Sequence, residues 1–231
     1  MTPRPRRTSC ALFVVLVLHA AGCQWREPSR DIVPPPPAPA ADVAPPRPRI
    51  VVLGDSLTAG LGLSKADAYP ALLQQRLDRV GLRWEVVNAG VSGDTTAGGL
   101  ARLDWALDGD VRILIVALGG NDGLRGLPVA AMRRNLSTII ERAHRRKVEV
   151  LLTGMEVLTN MGPEYRQQFH GAFPDLAGQH HVAFLPFLLE GVAGRPDLNQ
   201  NDGIHPTAAG ARIIADHVWA VLQPMLPAVA R

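Results

Sequence analysis

The chain has 231 residues, of which 47% are apolar, enough for one domain with a packed core. The formal net charge is +3, and Arg4, Arg6 and Arg7 lie in an N-terminal stretch whose expected removal would leave a neutral chain. Because a nucleic-acid-binding protein needs a basic face, this charge balance excludes nucleic acid as an expected partner.

The N-terminus has the pattern of a secretory signal peptide. The three arginines precede an apolar run over 11–18, which is too short to span a membrane, and small residues follow it. The closing segment Ala20-Ala21-Gly22-Cys23 resembles the lipobox of bacterial lipoproteins, which implies cleavage before Cys23 and acylation of its thiol. The alternative is an ordinary cleaved signal followed by an incidental cysteine. Gln24 after the cysteine favours sorting to the outer membrane, facing the periplasm.

The pattern predicts three parts: a signal peptide over 1–22, a lipidated cysteine with a linker over 23–49, and a folded domain over 50–231. The linker is rich in proline and alanine and has no apolar period, which is typical of extended, semi-rigid spacers. Cys10 would leave with the signal, so Cys23 would be the only cysteine of the mature chain and no disulfide is expected.

Short apolar runs alternate with amphipathic segments from residue 50 onward. Strands are predicted over 50–53, 84–87, 111–118, 149–153 and 183–185. Helices are predicted over 69–80, 96–107, 129–147, 164–180 and 208–222. Strands separated by helices form a parallel sheet through right-handed crossovers, with helices on both faces. The sequence therefore predicts an α/β fold with a central parallel sheet of about five strands.

Polar and glycine-rich segments follow the ends of the predicted strands. These segments are Gly54-Asp55-Ser56, 88–95, 119–122 and 201–205. Because ligands of such sheets bind at the carboxyl ends of the strands, we expect the four segments to meet there and to form a site.

Ser56 follows directly after a predicted buried strand, with Gly54 and Asp55 before it. In that position its hydroxyl can project over the edge of the sheet as a nucleophile, provided that a base activates it. The alternative is a serine that only caps the next helix.

Asp202 and His205 lie three residues apart on one predicted loop, with Pro206 next. This spacing lets the carboxylate hold one imidazole nitrogen while the other accepts the serine proton. The remaining histidines of the mature chain lie in or beside polar helical segments, where a solvated or hydrogen-bonded histidine is expected: His144, His170, His180, His181 and His217.

Acyl transfer also needs N–H donors directed at the developing oxyanion. The candidates are the backbone N–H groups of Ser56 and Gly93 and the side-chain amide of Asn121, each of which follows a predicted strand. For either glycine-rich loop alone the alternative is a plain turn, where Gly, Asn and Asp are favoured. We expect Asp94 and Asp122 to cap the helices that start beside them.

Together, the four segments resemble the sequence blocks of the SGNH (GDSL) hydrolases, over nearly all of 50–222. The matching blocks are Gly54-Asp55-Ser56-Leu57, Gly93, Gly119-Gly120-Asn121-Asp122 and Asp202-x-x-His205. The run over 118–126 is similar to the branch of multifunctional thioesterase I, lysophospholipase and arylesterase.

This resemblance implies a flavodoxin-like three-layer α/β/α domain without metal or organic cofactor. It implies a catalytic triad of Ser56, Asp202 and His205. It also implies an oxyanion hole formed by Ser56, Gly93 and Asn121.

Two loops bear on the choice of substrate. The segment over 123–128 contains Leu124 and Arg125, and is either a mobile flap over an acyl chain or a plain connection that starts the next helix at Pro128. The stretch Leu158-Thr159-Asn160-Met161-Gly162-Pro163 stands where the branch usually has a P-P-N-Y-G-like sequence. This departure leaves the preference for acyl and leaving groups open.

We therefore expect a secreted, lipid-anchored, monomeric serine hydrolase that cleaves carboxylic esters or thioesters of acyl chains, in small molecules or lipids. Two alternatives remain. A deacetylase of cell-surface polysaccharide would keep the site and change the substrate, although the leucines of the flap favour acyl chains. A non-catalytic surface-binding lipoprotein would keep only the fold, although all four site positions are filled.

Overall fold

The computed structural model describes residues 47–228. The expected signal peptide, Cys23 and most of the expected linker lie outside the described residues. Within the described part of the chain, no helix is both long and apolar enough to cross a membrane.

Five strands in this part of the chain form one parallel sheet in the order β2-β1-β3-β4-β5. The strands are β1 (Arg49–Gly54), β2 (Glu85–Gly90), β3 (Val111–Ala117), β4 (Glu149–Thr153) and β5 (Ala183–Leu185). This strand order is that of flavodoxin-like folds. The predicted fold class is therefore confirmed.

Helices connect the strands and cover the sheet. They are α1 (Ser56–Ala59), α2 (Tyr69–Arg79), α3 (Thr96–Ala101), α4 (Leu103–Ala106), α5 (Gly120–Leu124), α6 (Val129–Arg145), α7 (Pro163–His180) and α8 (Ala208–Leu222). Two short 3-10 turns, Thr159–Met161 and Gln223–Met225, complete the described elements. Helix α2 packs against α8, while α6 packs against α3 and α7. The sheet with its helices forms the expected three layers.

The two central strands form the middle of the core. In β1 the residues from Ile50 to Leu53 are almost fully buried, and in β3 only Arg112 is exposed. A strand covered on both faces must be apolar on both faces, which explains why these strands are continuous apolar runs. The segments that follow these two strands therefore start from the middle of the core.

Two predicted elements differ from the structure by more than a shift of one or two residues at an end. The helix predicted over 96–107 is interrupted at Arg102, which leaves helical geometry with φ −106° and ψ 9°. The strand predicted over 84–87 continues to Gly90, because Ala89 and Gly90 pair with the end of β1. The prediction that Ala89 and Gly90 lie in a loop after the strand was therefore wrong.

Asp55 joins the end of β1 to the first turn of α1. Its carboxylate accepts a hydrogen bond from the N–H of Leu57 at 3.0 Å and caps that helix. The side chain is only 2% exposed, and this burial raises the pKa of Asp55 from 3.8 to about 6, although the Leu57 N–H and His205 oppose the shift. The ionised carboxylate at neutral pH is therefore a cost to stability.

This raised pKa predicts how stability depends on pH. Below about pH 4 both folded and unfolded chains hold the proton of Asp55, whereas between about pH 4 and 6 only the folded chain does. Stability conferred by the protonated group is thus lost as the pH rises through this window. Relative to an Asp55→Asn variant, we expect the wild type to lose about 2 kcal/mol of unfolding free energy from pH 4 to pH 7, measured by urea denaturation. A difference between the two proteins that stays constant with pH would contradict this account.

Candidate active site

Ser56, His205 and Asp202 form a continuous hydrogen-bonded chain. His205 Nε2 lies 2.9 Å from Ser56 Oγ, and His205 Nδ1 lies 2.6 Å from Asp202 Oδ2. With its proton on Nδ1 directed at the carboxylate, the imidazole has Nε2 free to accept the serine proton. The structure thus brings together the three residues that the sequence predicted as a triad.

The carboxylate of Asp202 is fixed by its own loop. Its Oδ1 accepts hydrogen bonds from the N–H groups of Ile204 at 2.9 Å and His205 at 3.0 Å. The backbone N–H of His205, then its imidazole, and then the N–H of Ile204 lower the pKa of Asp202 from 3.8 to about 2. Asp202 is therefore ionised at neutral pH and favours the imidazole tautomer with the proton on Nδ1.

The loop that holds these two residues is closed at its base. Thr207 N donates to Leu198 O at 2.8 Å, and Gln200 N donates to His205 O at 2.7 Å. Asn199 and Pro206 form an isolated antiparallel bridge. The acid and the base therefore lie on one loop whose ends are joined by hydrogen bonds.

The predicted oxyanion donors border the same cavity as Ser56 and His205, a space of about 500 Å³. Within residues 47–228 the backbone N–H groups of Ser56 and Gly93 donate to no protein acceptor. Gly93 has φ +85°, a conformation that favours glycine, and Arg125 donates to its carbonyl at 2.7 Å. Two backbone donors are thus available at one wall of the cavity.

The amide of Asn121 uses both of its N–H bonds inside the protein. Nδ2 donates to Asp94 O at 3.0 Å and to Asp55 Oδ2 at 3.2 Å. The first bond fixes the amide beside the loop that contains Gly93. The second bond joins the amide to the buried carboxylate of Asp55. Donation by Asn121 to an oxyanion stays a prediction.

Asp94 and Asp122 do not cap the helices as predicted. Thr95 is the N-cap of α3, while the carboxylate of Asp94 accepts from Arg102 Nε at 2.6 Å. The buried carboxylate of Asp122 accepts from the N–H and the hydroxyl of Thr96, at 2.8 and 2.6 Å. Asp94 thus binds the residue that follows α3, and Asp122 binds a residue 26 positions away in the chain. A rule for local capping cannot detect either role.

Arg102 is a site-supporting residue that the sequence analysis missed. Besides its bond to Asp94, its Nη2 donates to Gly54 O at 2.9 Å. It therefore ties the end of β1 to the loop that contains Gly93. The sequence offered no signal, because Arg102 stands inside a segment predicted as an uninterrupted helix.

The predicted flap is held at several points. Leu124 ends α5 and is 49% exposed. Arg125 is held by the carbonyl of Gly93, and Tyr165 Oη donates to Leu127 O at 2.8 Å. Helix α6 begins at Val129, as the plain-connection alternative also predicts. Mobility of the flap stays a prediction.

Exposed apolar side chains surround the mouth of the cavity. Leu61, Leu124, Leu158 and Ile204 are 48%, 49%, 57% and 42% exposed, and all four line the cavity. We call these four residues the apolar rim. They come from four different segments, and clustered apolar exposure of this kind marks a binding surface.

The other histidines of the described residues lie outside the cavity lining. His170 Nδ1 pairs with Glu156 at 2.5 Å, and His180 Nε2 pairs with Ser137 at 2.8 Å. His217 differs from expectation, because its Nδ1 is buried without a hydrogen-bond partner among residues 47–228. Over the same residues no group of three or more His, Cys, Asp or Glu side chains is arranged to hold a metal ion.

The sequence is similar to a known family and to characterised enzymes. Residues 52–213 match the GDSL-like lipase/acylhydrolase family. Esterase TesA of Pseudomonas aeruginosa is 42% identical over 178 residues, which are 77% of this chain and 89% of that protein. Thioesterase 1/protease 1/lysophospholipase L1 of Escherichia coli K12 is 39% identical over 178 residues, which are 77% of this chain and 84% of that protein.

The fold agrees with this relationship. The crystal structure of TesA matches this chain with a TM-score of 0.74 and 42% identity, covering 77% of this chain and 99% of that one. The resemblance to the SGNH hydrolases inferred from four short blocks is thereby confirmed. The chain belongs to the GDSL-like lipase/acylhydrolase family and is a serine esterase.

Proposed function

We propose that the protein hydrolyses esters or thioesters of acyl chains through an acyl-enzyme on Ser56. Ser56 Oγ attacks the carbonyl carbon while its proton passes to His205 Nε2. The tetrahedral intermediate then expels the alcohol or thiol, which receives that proton. A water molecule attacks the acyl-serine, gives its proton to His205, and the free carboxylic acid leaves as Ser56 regains the proton. The proposal is supported above all by the 2.9 Å contact between Ser56 Oγ and His205 Nε2.

In this mechanism Asp202 orients His205 and stabilises the imidazolium that forms in each half-reaction. Its low pKa suits this role, because the carboxylate keeps its charge over the whole neutral range. The backbone N–H groups of Ser56 and Gly93 and the amide of Asn121 hold the oxyanion. Loss of one such donor is expected to cost about 2.7–4 kcal/mol of activation free energy.

The apolar rim favours acyl chains as substrates. Each of the four rim side chains borders the cavity that contains Ser56, so an alkyl chain entering beside the scissile carbonyl removes apolar surface from water. A polysaccharide acetyl ester has no chain to fill this space. We therefore propose acyl esters and thioesters, including lysophospholipids, and the deacetylase alternative is an outcome of the chain-length test below.

We also propose that the enzyme is exported and tethered to the bacterial envelope, in the outer membrane facing the periplasm. The support is the signal-like N-terminus that ends in Ala20-Ala21-Gly22-Cys23, with Gln24 next. The proline-rich linker would keep the domain at a distance from the membrane surface. Several acyl chains on Cys23 would make this attachment stable, since one chain alone binds only marginally.

One double-labelling experiment on the full chain tests both the nucleophile and the anchor. Bacteria producing the protein are labelled with an alkyne palmitate, and their lysates with a fluorophosphonate. We expect Ser56→Ala to lose fluorophosphonate labelling and p-nitrophenyl ester turnover while keeping the lipid label. We expect Cys23→Ala to show the reverse, because the two groups act independently.

Each variant is therefore the control for the other. Turnover by Ser56→Ala at the wild-type rate would refute the acyl-enzyme mechanism. Palmitate incorporation that persists in Cys23→Ala would refute the anchor and leave the hydrolase proposal untouched.

A chain-length series tests the substrate class. We expect Leu124→Ala to reduce kcat/KM on p-nitrophenyl esters of long acyl chains roughly tenfold and on the acetate less than twofold, because about 1.5 kcal/mol of apolar contact is lost only with a long chain. Leu158→Ala, a change at a second residue of the rim, is the comparison. Equal losses on acetate and on long chains, together with a wild-type preference for acetate, would instead favour a deacetylase.

A further inference from the structure

The two halves of the proposed triad come from segments far apart in the chain. Ser56 and the turn after α1 lie over 56–62, and the acid–base loop lies over 199–206. Among the described residues, two hydrogen bonds join these segments. One is the contact between His205 and Ser56 itself, and the other runs from Gln200 Nε2 to Leu61 O at 2.7 Å.

The Leu61 end of this second bond is fixed relative to Ser56. The N–H groups of Gly60 and Leu61 both donate to Ser56 O, each at 3.1 Å. Gly60 has φ +76° and ends α1 in the left-handed conformation that lets the chain fold back. The residue whose carbonyl accepts from Gln200 is thus itself hydrogen-bonded to Ser56. A shift of Leu61 therefore shifts the residue that contains the nucleophile.

The Gln200 end is fixed relative to His205. Its backbone N–H donates to His205 O at 2.7 Å, and Nε2 donates its other hydrogen to Pro206 O at 2.9 Å. Both hydrogens of one amide are thus used, one inside the acid–base loop and one across to the nucleophile segment.

Gly62 provides the space for this amide. It has φ +78°, and a Cβ at this position would overlap the side-chain amide of Gln200. The amide therefore rests directly on the backbone of the nucleophile segment. A hydrogen bond and a close packing contact, from different residues, hold the same two segments together.

We propose that Gln200 is a positioning residue that sets the distance between Ser56 Oγ and His205 Nε2. The proposal rests on the proposed roles of Ser56 and His205. Gln200 is not among the residues that line the cavity, so it acts through the two segments and does not touch substrate. Because a misplacement of about 1 Å between reacting groups costs about 100-fold in rate, loss of this bridge reduces turnover and leaves substrate affinity nearly unchanged.

The test replaces Gln200 by methionine, which has a similar length and no N–H donor. We expect Gln200→Met to lower kcat by about 10- to 100-fold with KM within about twofold of wild type. The rate of inactivation by a fluorophosphonate falls in parallel, because it also depends on activation of Ser56 by His205. The concentration of active enzyme is measured by active-site titration. Misfolded protein is thereby left out of the calculation of kcat.

Gln74→Met is the matched control. Gln74 Nε2 also donates to a backbone carbonyl, that of Trp84 at 3.0 Å, and Oε1 accepts from the N–H of Val86 at 2.7 Å. This bridge joins α2 to the start of β2 and does not contact the site residues. We expect Gln74→Met to lower Tm and to keep the kcat of the titrated enzyme.

Gly62→Ala gives an independent route to the same bridge. If the added methyl group acts by displacing the amide of Gln200, it lowers kcat in the wild type and has little further effect in Gln200→Met. Wild-type kcat and inactivation rate in Gln200→Met overturn the proposal, and so do fully additive losses in the double variant. Failure of the triad itself is recognised separately, because Ser56→Ala would then retain activity.

Discussion

The site depends on three strands of a parallel sheet that end side by side. Gly54 at the end of β1 pairs with Gly90 of β2 on one side and with Ala117 of β3 on the other. The chain leaves β1 towards β2 and returns on the opposite side in β3, which opens a crevice at this edge. The nucleophile, the loop with Gly93 and the turn with Asn121 each follow one of these strands. Proximity of the three segments is thus a consequence of topology.

Close approach at this edge requires glycine. A Cβ on Gly54 would overlap the side chain of Thr58, and a Cβ on Gly90 would overlap the backbone of Ala59. Helix α1 can therefore lie directly against the ends of β1 and β2, and Ser56, its first residue, faces the cavity. Half-buried polar side chains then join the segments: Arg102 binds Gly54 O and Asp94, and Asn121 binds Asp55 and Asp94 O. Pairing of this kind offsets the cost of removing polar groups from water.

Local patterns were sufficient for much of this structure. The bounds of β4, β5 and α8 agree with the predictions, because each is a short apolar run or an amphipathic segment with clear ends. The one-turn helices α1 and α5 were not predicted, since each follows a strand directly and contains glycines or a serine that read as a turn. Ser56, Asp202 and His205 were recognisable only as a set, because each short motif has an ordinary structural alternative.

What escaped prediction consists of contacts between distant segments. Arg102 interrupts a helix to reach Gly54, which is 48 residues away in the chain, and Gln200 binds Leu61 across 139 residues. Asp122 binds Thr96 of another helix in place of its own helix end. Sequence periodicity and residue propensities cannot identify these hydrogen-bond partners, because the partners are brought together only in the assembled fold.

The proposed mechanism requires that Ser56, Gly93 and Asn121 form an oxyanion site beside the nucleophile. A crystal structure of the enzyme inactivated with an alkyl phosphonate measures this directly. We expect a bond from Ser56 Oγ to phosphorus, with one phosphoryl oxygen about 3 Å from the N–H groups of Ser56 and Gly93 and from Asn121 Nδ2. A phosphonate attached to another residue, or a phosphoryl oxygen directed away from all three donors, would contradict it.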